Sequence, residues 1–353
     1  MKKIVVILLV LSAVVGLAQG PLPVGSVLPV SQVSVHDPVM IKENNTFYLF
    51  CTGFGIAVWS STDLQSWKKE APVFATAPQW AVDTIPGFKG HIWAPDISFH
   101  DGQYYLYYSV SAFGKNTSAI GVATNATLDP SSPNFRWIDH GRVLQSYPGK
   151  TNWNAIDPNF VVNDNGVPYL VFGSFWDGLK LVKLTADRLH PAEDLATIPT
   201  VASRKTNSSD SNPPAVDNNP ADAGGNAIEA PFIFKKGAYF YFFASIDYCC
   251  KGVNSTYKVI VGRSKKLEGP YLDKEGKSLR TGGGTVLLQG DKNWHGVGHN
   301  GVCAAGGKEY ILYHGYDAAD NGRSKLLIRE LRWDDTGWPM IDANRNSANF
   351  HVY

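Results

Sequence analysis

Past an apolar leader, the hydrophobic positions of this chain fall into short runs bounded by Gly, Pro, Asn and Asp, and the runs come in pairs. The phrase HDPVMIKENNTFYLFCTG begins at His36. It is echoed by APDISFHDGQYYLYYSVS from Ala94, IDPNFVVNDNGVPYLVFGSF from Ile156, EAPFIFKKGAYFYFFAS from Glu229 and HNGVCAAGGKEYILYHGYD from His299. Each copy has a polar or acidic opening, a short apolar strand, a polar turn and an aromatic-rich strand, which is the pattern of a β-hairpin. Between the copies lie further short strands such as IAVWSSTDLQSW, SAIGVATN, KLVKLT and KVIVGRSKK.

The copies recur at intervals of roughly 60 to 70 residues. Two hairpins per copy make a four-stranded blade, and five blades closing in a ring make an all-β, five-bladed β-propeller. The runs are too short and β-rich for crossover helices, so a two-sheet sandwich is the alternative rather than an α/β fold. The stretch 203–227, rich in Pro, Asn and Asp, reads as a surface excursion, and SKKLEGPY (264–271) as an ordinary surface turn. With no domain boundary in view, residues 19–353 form one domain. Ahead of it, Lys2 and Lys3 precede IVVILLVLSAVVGLA, a signal peptide over residues 1–18 cleaved after Ala18 or after Gly20. No other run is long enough to span a bilayer, so the expected product is exported and soluble, extracellular or periplasmic.

Composition narrows the function. A net charge of +1 leaves no basic footprint for nucleic acid. Aromatics at 12% suit a large β core and also sugar faces. The four cysteines, Cys51, Cys249, Cys250 and Cys303, are too few for a disulfide scaffold. Cys249 and Cys250 are adjacent, and either a bridge or buried thiols would suit them.

In a propeller the inner strands start around the central channel, so their opening residues converge. Asp37, Asp157, Glu229 and His299 hold that place, with Asp96 one position out of register. An Asp-Pro taken alone marks a turn, because Asp hydrogen-bonds its own backbone. Three acids at one phase of a repeat point instead to acid–base chemistry on a neutral, hydroxyl-rich substrate. Glu229 is the least turn-like of them, set among Ile, Ala, Pro and Phe. Trp93 in HIWAPD reads equally as a core ring or a sugar platform, and His299 as a core histidine or a channel-facing ligand. No clustered zinc spacing, EF-hand, P-loop, Rossmann glycine pattern or G-x-S-x-G is present.

The pieces VHDPVMIK, HIWAPDISF, NAIDPNFVVNDNGVPYLVFGSFWDG, GNAIEAPFIF, DYCCKGVNSTYKVIVGRS, GHN, YHGYD and WDDTGWP resemble glycoside hydrolase family 43 over nearly the whole mature chain, in the order of its endo-α-1,5-L-arabinanases. The resemblance implies a monomeric, inverting hydrolase of arabinan with Asp37 as general base, Glu229 as general acid and Asp157 as the carboxylate that raises and orients the acid. For inversion the base and acid should stand roughly 6.5–9.5 Å apart. It also implies that Trp93, Phe113, Asn154, Ile156 and Ser174 line sugar subsites, and that His299 holds a water-rich calcium near the axis, with no organic cofactor. The family more often has Pro where Val297 precedes GHN. An exo-acting α-L-arabinofuranosidase or β-xylosidase is the alternative on the same fold, and a non-catalytic glycan-binding propeller the alternative of another class.

Overall fold

The computed structural model describes residues 22–205 and 225–341, so the predicted leader and most of the 203–227 excursion lie outside the described residues. The described chain forms five antiparallel sheets of four or five strands, taken in chain order around a ring. Their innermost strands are Val39–Glu43, His91–His100, Asn159–Val162, Ile228–Lys236 and Trp294–Ala305. The predicted five-bladed propeller is therefore the fold, and each repeat supplies the inner hairpin of one blade. Among the described residues no helix is long and apolar enough to cross a membrane.

The core explains why the second strand of each repeat is almost wholly apolar. One hydrophobic cluster fills each of the five gaps between neighbouring blades. In Tyr239–Ile246, Phe240 and Phe242 pack toward blade 3 with Val171 and Leu181, while Tyr241 and Phe243 pack toward blade 5 with Ile311 and Tyr313. Strand alternation thus sends successive side chains to opposite neighbours, and both faces are buried. Each fully buried ring or Leu contributes about 1.5–3 kcal/mol of burial energy. Among the described residues, blades 1 and 5 close the ring without exchanging a strand. Val33, Phe47, Cys303, Leu312 and Ile328 share one cluster, and the Leu326 N–H donates to the Val33 carbonyl at 2.9 Å. SKKLEGPY is not a plain surface turn: Leu267 and Tyr271 are buried in the gap between blades 3 and 4, with the Tyr271 hydroxyl donating to the Leu267 carbonyl at 2.6 Å.

A second repeat, invisible in residue type, sits at the mouth of the inner strands. Asp37, Ala94, Asp157, Ala230 and His299 all have left-handed backbone, with φ between 42° and 57°. Non-glycine residues pay about 1–3 kcal/mol for that conformation, so the surroundings must hold it. In four of the five, the backbone N–H donates to a polar side chain near the end of the second strand of the preceding blade, or one residue past it. Asp37 donates to His314 Nδ1 (3.2 Å), Ala94 to Thr52 Oγ1 (2.9 Å), Asp157 to Ser109 Oγ (3.0 Å) and His299 to Ser245 Oγ (2.8 Å). In blade 3 the equivalent position is Gly173, which has no side chain, and the Ala230 N–H donates to Asp157 Oδ2 instead (3.1 Å).

That register corrects the alignment of the opening residues. Asp37, Asp157 and His299 are equivalent, but the residue of blade 4 in their phase is Ala230, and Glu229 precedes it. Asp96 lies two residues beyond Ala94 and serves structure. It is buried and accepts from Asn159 Nδ2 (3.0 Å) and the Phe160 N–H (2.7 Å), while Asn159 Oδ1 accepts from the Ile233 N–H (2.8 Å). These bonds tie blades 2, 3 and 4 together at one level.

Candidate active site

The inner-strand mouths open into one cavity of about 740 Å³. Asp37, Asp157, Glu229 and His299 all line it, and so do Trp93, Phe113, Asn154, Ile156 and Ser174. Every site residue expected from the sequence is thus brought to one place. Phe113 stands at its rim, 78% exposed, whereas Asn154 is buried with its Oδ1 unpartnered, an acceptor that a ligand hydroxyl can satisfy.

The three carboxylates have different surroundings. Asp37 Oδ1 lies 3.0 Å from His299 Nδ1, and its Oδ2 accepts from the Thr52 hydroxyl. Burial alone would raise its pKa, yet the charge and hydrogen bond of His299, backed by His314 and His36, hold it well below the usual carboxylate range. Asp37 therefore stays ionised. Burial likewise opposes charging of the His299 ring, but Asp37 against it, with Asp157 and Glu229 beyond, raises its pKa to about 9.

Among the described residues Asp157 has no cationic partner in contact, and its side chain accepts from the Ala230 N–H. Its pKa is raised, first by burial and then by the charges of Glu229 and Asp37, against the pull of His299. Glu229 accepts two hydroxyl hydrogen bonds, from Ser174 to Oε2 (2.6 Å) and from Tyr257 to Oε1 (2.7 Å). Its apolar neighbours in sequence are not its surroundings: Ile228 and Ile233 point into the gap between blades 3 and 4. The setting that looked apolar in GNAIEAPFIF belongs to the strand's other face. Glu229 itself faces the cavity, half-buried.

Tyr257 reaches Glu229 because of a glycine. A Cβ on Gly298 would lie 2.1 Å from the Tyr257 ring, so the ring occupies the place that His36, Trp93, Ile156 and Glu229 fill in the other blades. Sequence reasoning gave Tyr257 no role, nor His36, His314 and Tyr316, although HDPV, NSTYKV and YHGYD carry them. Burial first, and then His36, lowers the His314 pKa far below its ordinary value. Its neutral ring can then accept the Asp37 N–H at Nδ1, with Nε2 facing the Tyr316 hydroxyl at 3.5 Å. Of the cysteines, Cys249 and Cys250 are joined to each other, while Cys51 and Cys303 are buried thiols.

A hydrated cation beside His299 would take the place of the ring proton that Asp37, Asp157 and Glu229 favour. With Nδ1 engaged by Asp37, Nε2 is the nitrogen left to face it, the way a ligating histidine is commonly oriented. The following residue in sequence, Asn300, is buried with neither amide atom partnered, a polar site suited to ordered water, but it does not line the cavity. A second set, His36, Asp37 and His314, brings ligand atoms within 4.8 Å of one another, but its nitrogen-rich donors suit a transition metal better than calcium.

The chain is similar to known proteins. The sequence profile of Glycosyl hydrolases family 43 matches residues 27–339. The extracellular exo-α-(1→5)-L-arabinofuranosidase ArbA of Cellvibrio japonicus is 50% identical over 88% of this chain and 87% of its own length. The extracellular endo-α-(1→5)-L-arabinanase 1 of Bacillus subtilis is 41% identical over 86% of this chain and 87% of its own. Among solved structures, the Cellvibrio cellulosa α-L-arabinanase complexed with arabinohexaose superposes with a TM-score of 0.81 at 49% identity, covering 88% of this chain and 96% of that one.

Proposed function

The chain belongs to glycosyl hydrolases family 43, and from that premise we propose that it hydrolyses α-1,5-linked L-arabinan by inversion, outside the cell. The observation that carries the reading is the convergence of Asp37, Asp157 and Glu229, from three blades, on one cavity with three different environments. Asp37, held ionised, is the general base that takes a proton from the attacking water. Glu229 is the general acid that gives its proton to the leaving oxygen. Asp157 is bonded to the amide next to Glu229, and repulsion between the two carboxylates favours retention of one proton by the pair. Ser174 and Tyr257 orient the acid. Trp93, Phe113, Asn154 and Ile156 contact the sugars. A hydrated calcium held through His299 would add positive charge beside the carboxylates.

Both modes of attack have a named relative, and the higher identity, 50% against 41%, favours release from chain ends over internal cleavage. Export is supported by the extracellular relatives and by the leader-like first residues. One digest of debranched arabinan tests the whole reading. Small products of inverted anomeric configuration from the first time points support chain-end release, and a ladder of mixed oligosaccharides supports internal cleavage. Unchanged turnover in both Asp37→Asn and Glu229→Gln enzymes refutes the assignment of roles.

A further inference from the structure

The mouth of the cavity carries a group that none of these roles uses. Cys249 and Cys250 are joined in the segment 247–257, between the second and third strands of blade 4, and both line the cavity. We propose that the Cys249–Cys250 disulfide is a sugar-contacting platform that positions one unit of the arabinan chain at the rim between blades 4 and 5. The proposal rests on the hydrolase reading above.

A bridge between adjacent residues closes no length of chain, so it removes almost no entropy from the unfolded state and is no stabilising staple. Its place in the molecule needs another reason. Cys250 is exposed and Cys249 half-buried, at the lip of a cavity whose floor is carboxylates and imidazoles. Against that polar floor the two sulfurs offer a polarisable apolar surface that makes no demand for hydrogen bonds, which suits the C–H face of a furanose.

The platform is also held still. The Cys250 N–H donates to the Tyr316 hydroxyl at 2.7 Å, the Lys251 N–H to Ser255 Oγ at 3.0 Å, and Asp247 pairs with Lys258 at 2.9 Å. A surface ordered before binding loses little entropy when the sugar arrives. The same anchors connect it to both reacting groups. Tyr257 closes the segment and bonds Glu229, while Tyr316 lies against the ring of His314, which receives the Asp37 N–H. A sugar seated on the disulfide is thereby indexed to acid and base together.

The test compares the oxidised enzyme, the same enzyme treated with a phosphine reductant, and the Cys249→Ala/Cys250→Ala double variant on linear α-1,5-arabino-oligosaccharides. Reduction should expose two thiols to maleimide in the folded enzyme, because Cys51 and Cys303 are buried. The expected result is a rise in KM of roughly 5- to 10-fold in both reduced and double-variant forms, larger than any fall in kcat, with the melting temperature unmoved. An unchanged KM in either form overturns the proposal, and so does a KM rise that comes with a lowered melting temperature. If the oxidised enzyme cleaves no arabinan, the hydrolase reading fails instead, and oligosaccharide binding to Glu229→Gln enzyme decides the platform. Equal Kd with and without the bridge, or no binding at all, overturns it.

Discussion

Tyr257→Phe should lower kcat on a linear arabino-oligosaccharide by loosening the general acid. Glu229 accepts two hydroxyl hydrogen bonds, of which the Tyr257 bond at 2.7 Å comes from a fully buried ring. A hydrogen bond of this kind is worth about 1–3 kcal/mol, and losing it frees the acid to leave its reactive position, so a fall of roughly 5- to 50-fold in kcat is expected. Phenylalanine keeps the ring that stacks near His314 at 5.9 Å and fills the place opened by Gly298. The structural disturbance is therefore confined to the lost hydroxyl. The assay is kcat and KM on a linear arabino-oligosaccharide, with kcat falling and KM little changed. An unchanged kcat refutes the assignment of Tyr257 as a residue that positions the general acid.

Other perturbations follow from the same geometry. Asp157→Asn keeps an acceptor for the Ala230 N–H but removes a carboxyl that shares a proton with the acid, so kcat should fall at least about tenfold with little loss of stability. Asp157→Ala also leaves that buried N–H unpaired, and should cost a further 1–3 kcal/mol in denaturant titration. Asp96 is buried, and burial, outweighing its donors Phe160 and Asn159, raises its pKa from 3.8 to about 7. Because the folded value is the higher one, the unfolded chain releases this proton first, and stability is lost as pH rises from about 4 through about 7; at 1.36 kcal/mol per unit the loss approaches about 4 kcal/mol. Asp96→Asn should flatten that dependence between pH 5 and 8 in urea melts, and an unchanged slope counts against it. Phe242→Ala, in the gap between blades 3 and 4, should cost about 3–5 kcal/mol by cavity formation, read as an earlier denaturation midpoint.

Much of this was legible in the chain. The five hairpins announce themselves because each blade lies between two others, which forces its second strand to be apolar on both faces. YFYFFAS could hardly be a solvent-facing strand. Convergence of Asp37, Asp157, Glu229 and His299 followed from topology alone. What the residues did not disclose is the register within one residue. The equivalence of Asp37, Asp157, Ala230 and His299 is written in backbone φ, and Ala230 carries no chemistry to mark it. The joining of Cys249 to Cys250 was open for a similar reason, since adjacency permits a bridge without requiring one. SKKLEGPY misled because Leu267 and Tyr271, sparse among polar neighbours, fill the gap beneath a turn.

The register also accounts for why the acid and its partner stand where they do. Four blades hold their left-handed mouth residue with a side chain on the preceding second strand or one residue past it: His314, Thr52, Ser109 and Ser245. Blade 3 has Gly173 there, at φ 129°, where a Cβ would meet the Gly178 carbonyl oxygen at 2.9 Å. No hydroxyl can be supplied from that position, so the Ala230 N–H takes its bond from Asp157. That single substitution in an otherwise regular ring couples the carboxylate of one blade to the residue following Glu229 in the next. Asp157 is consequently buried and close to the acid by construction. A structural gap in the repeat has been filled by a group with chemical work to do.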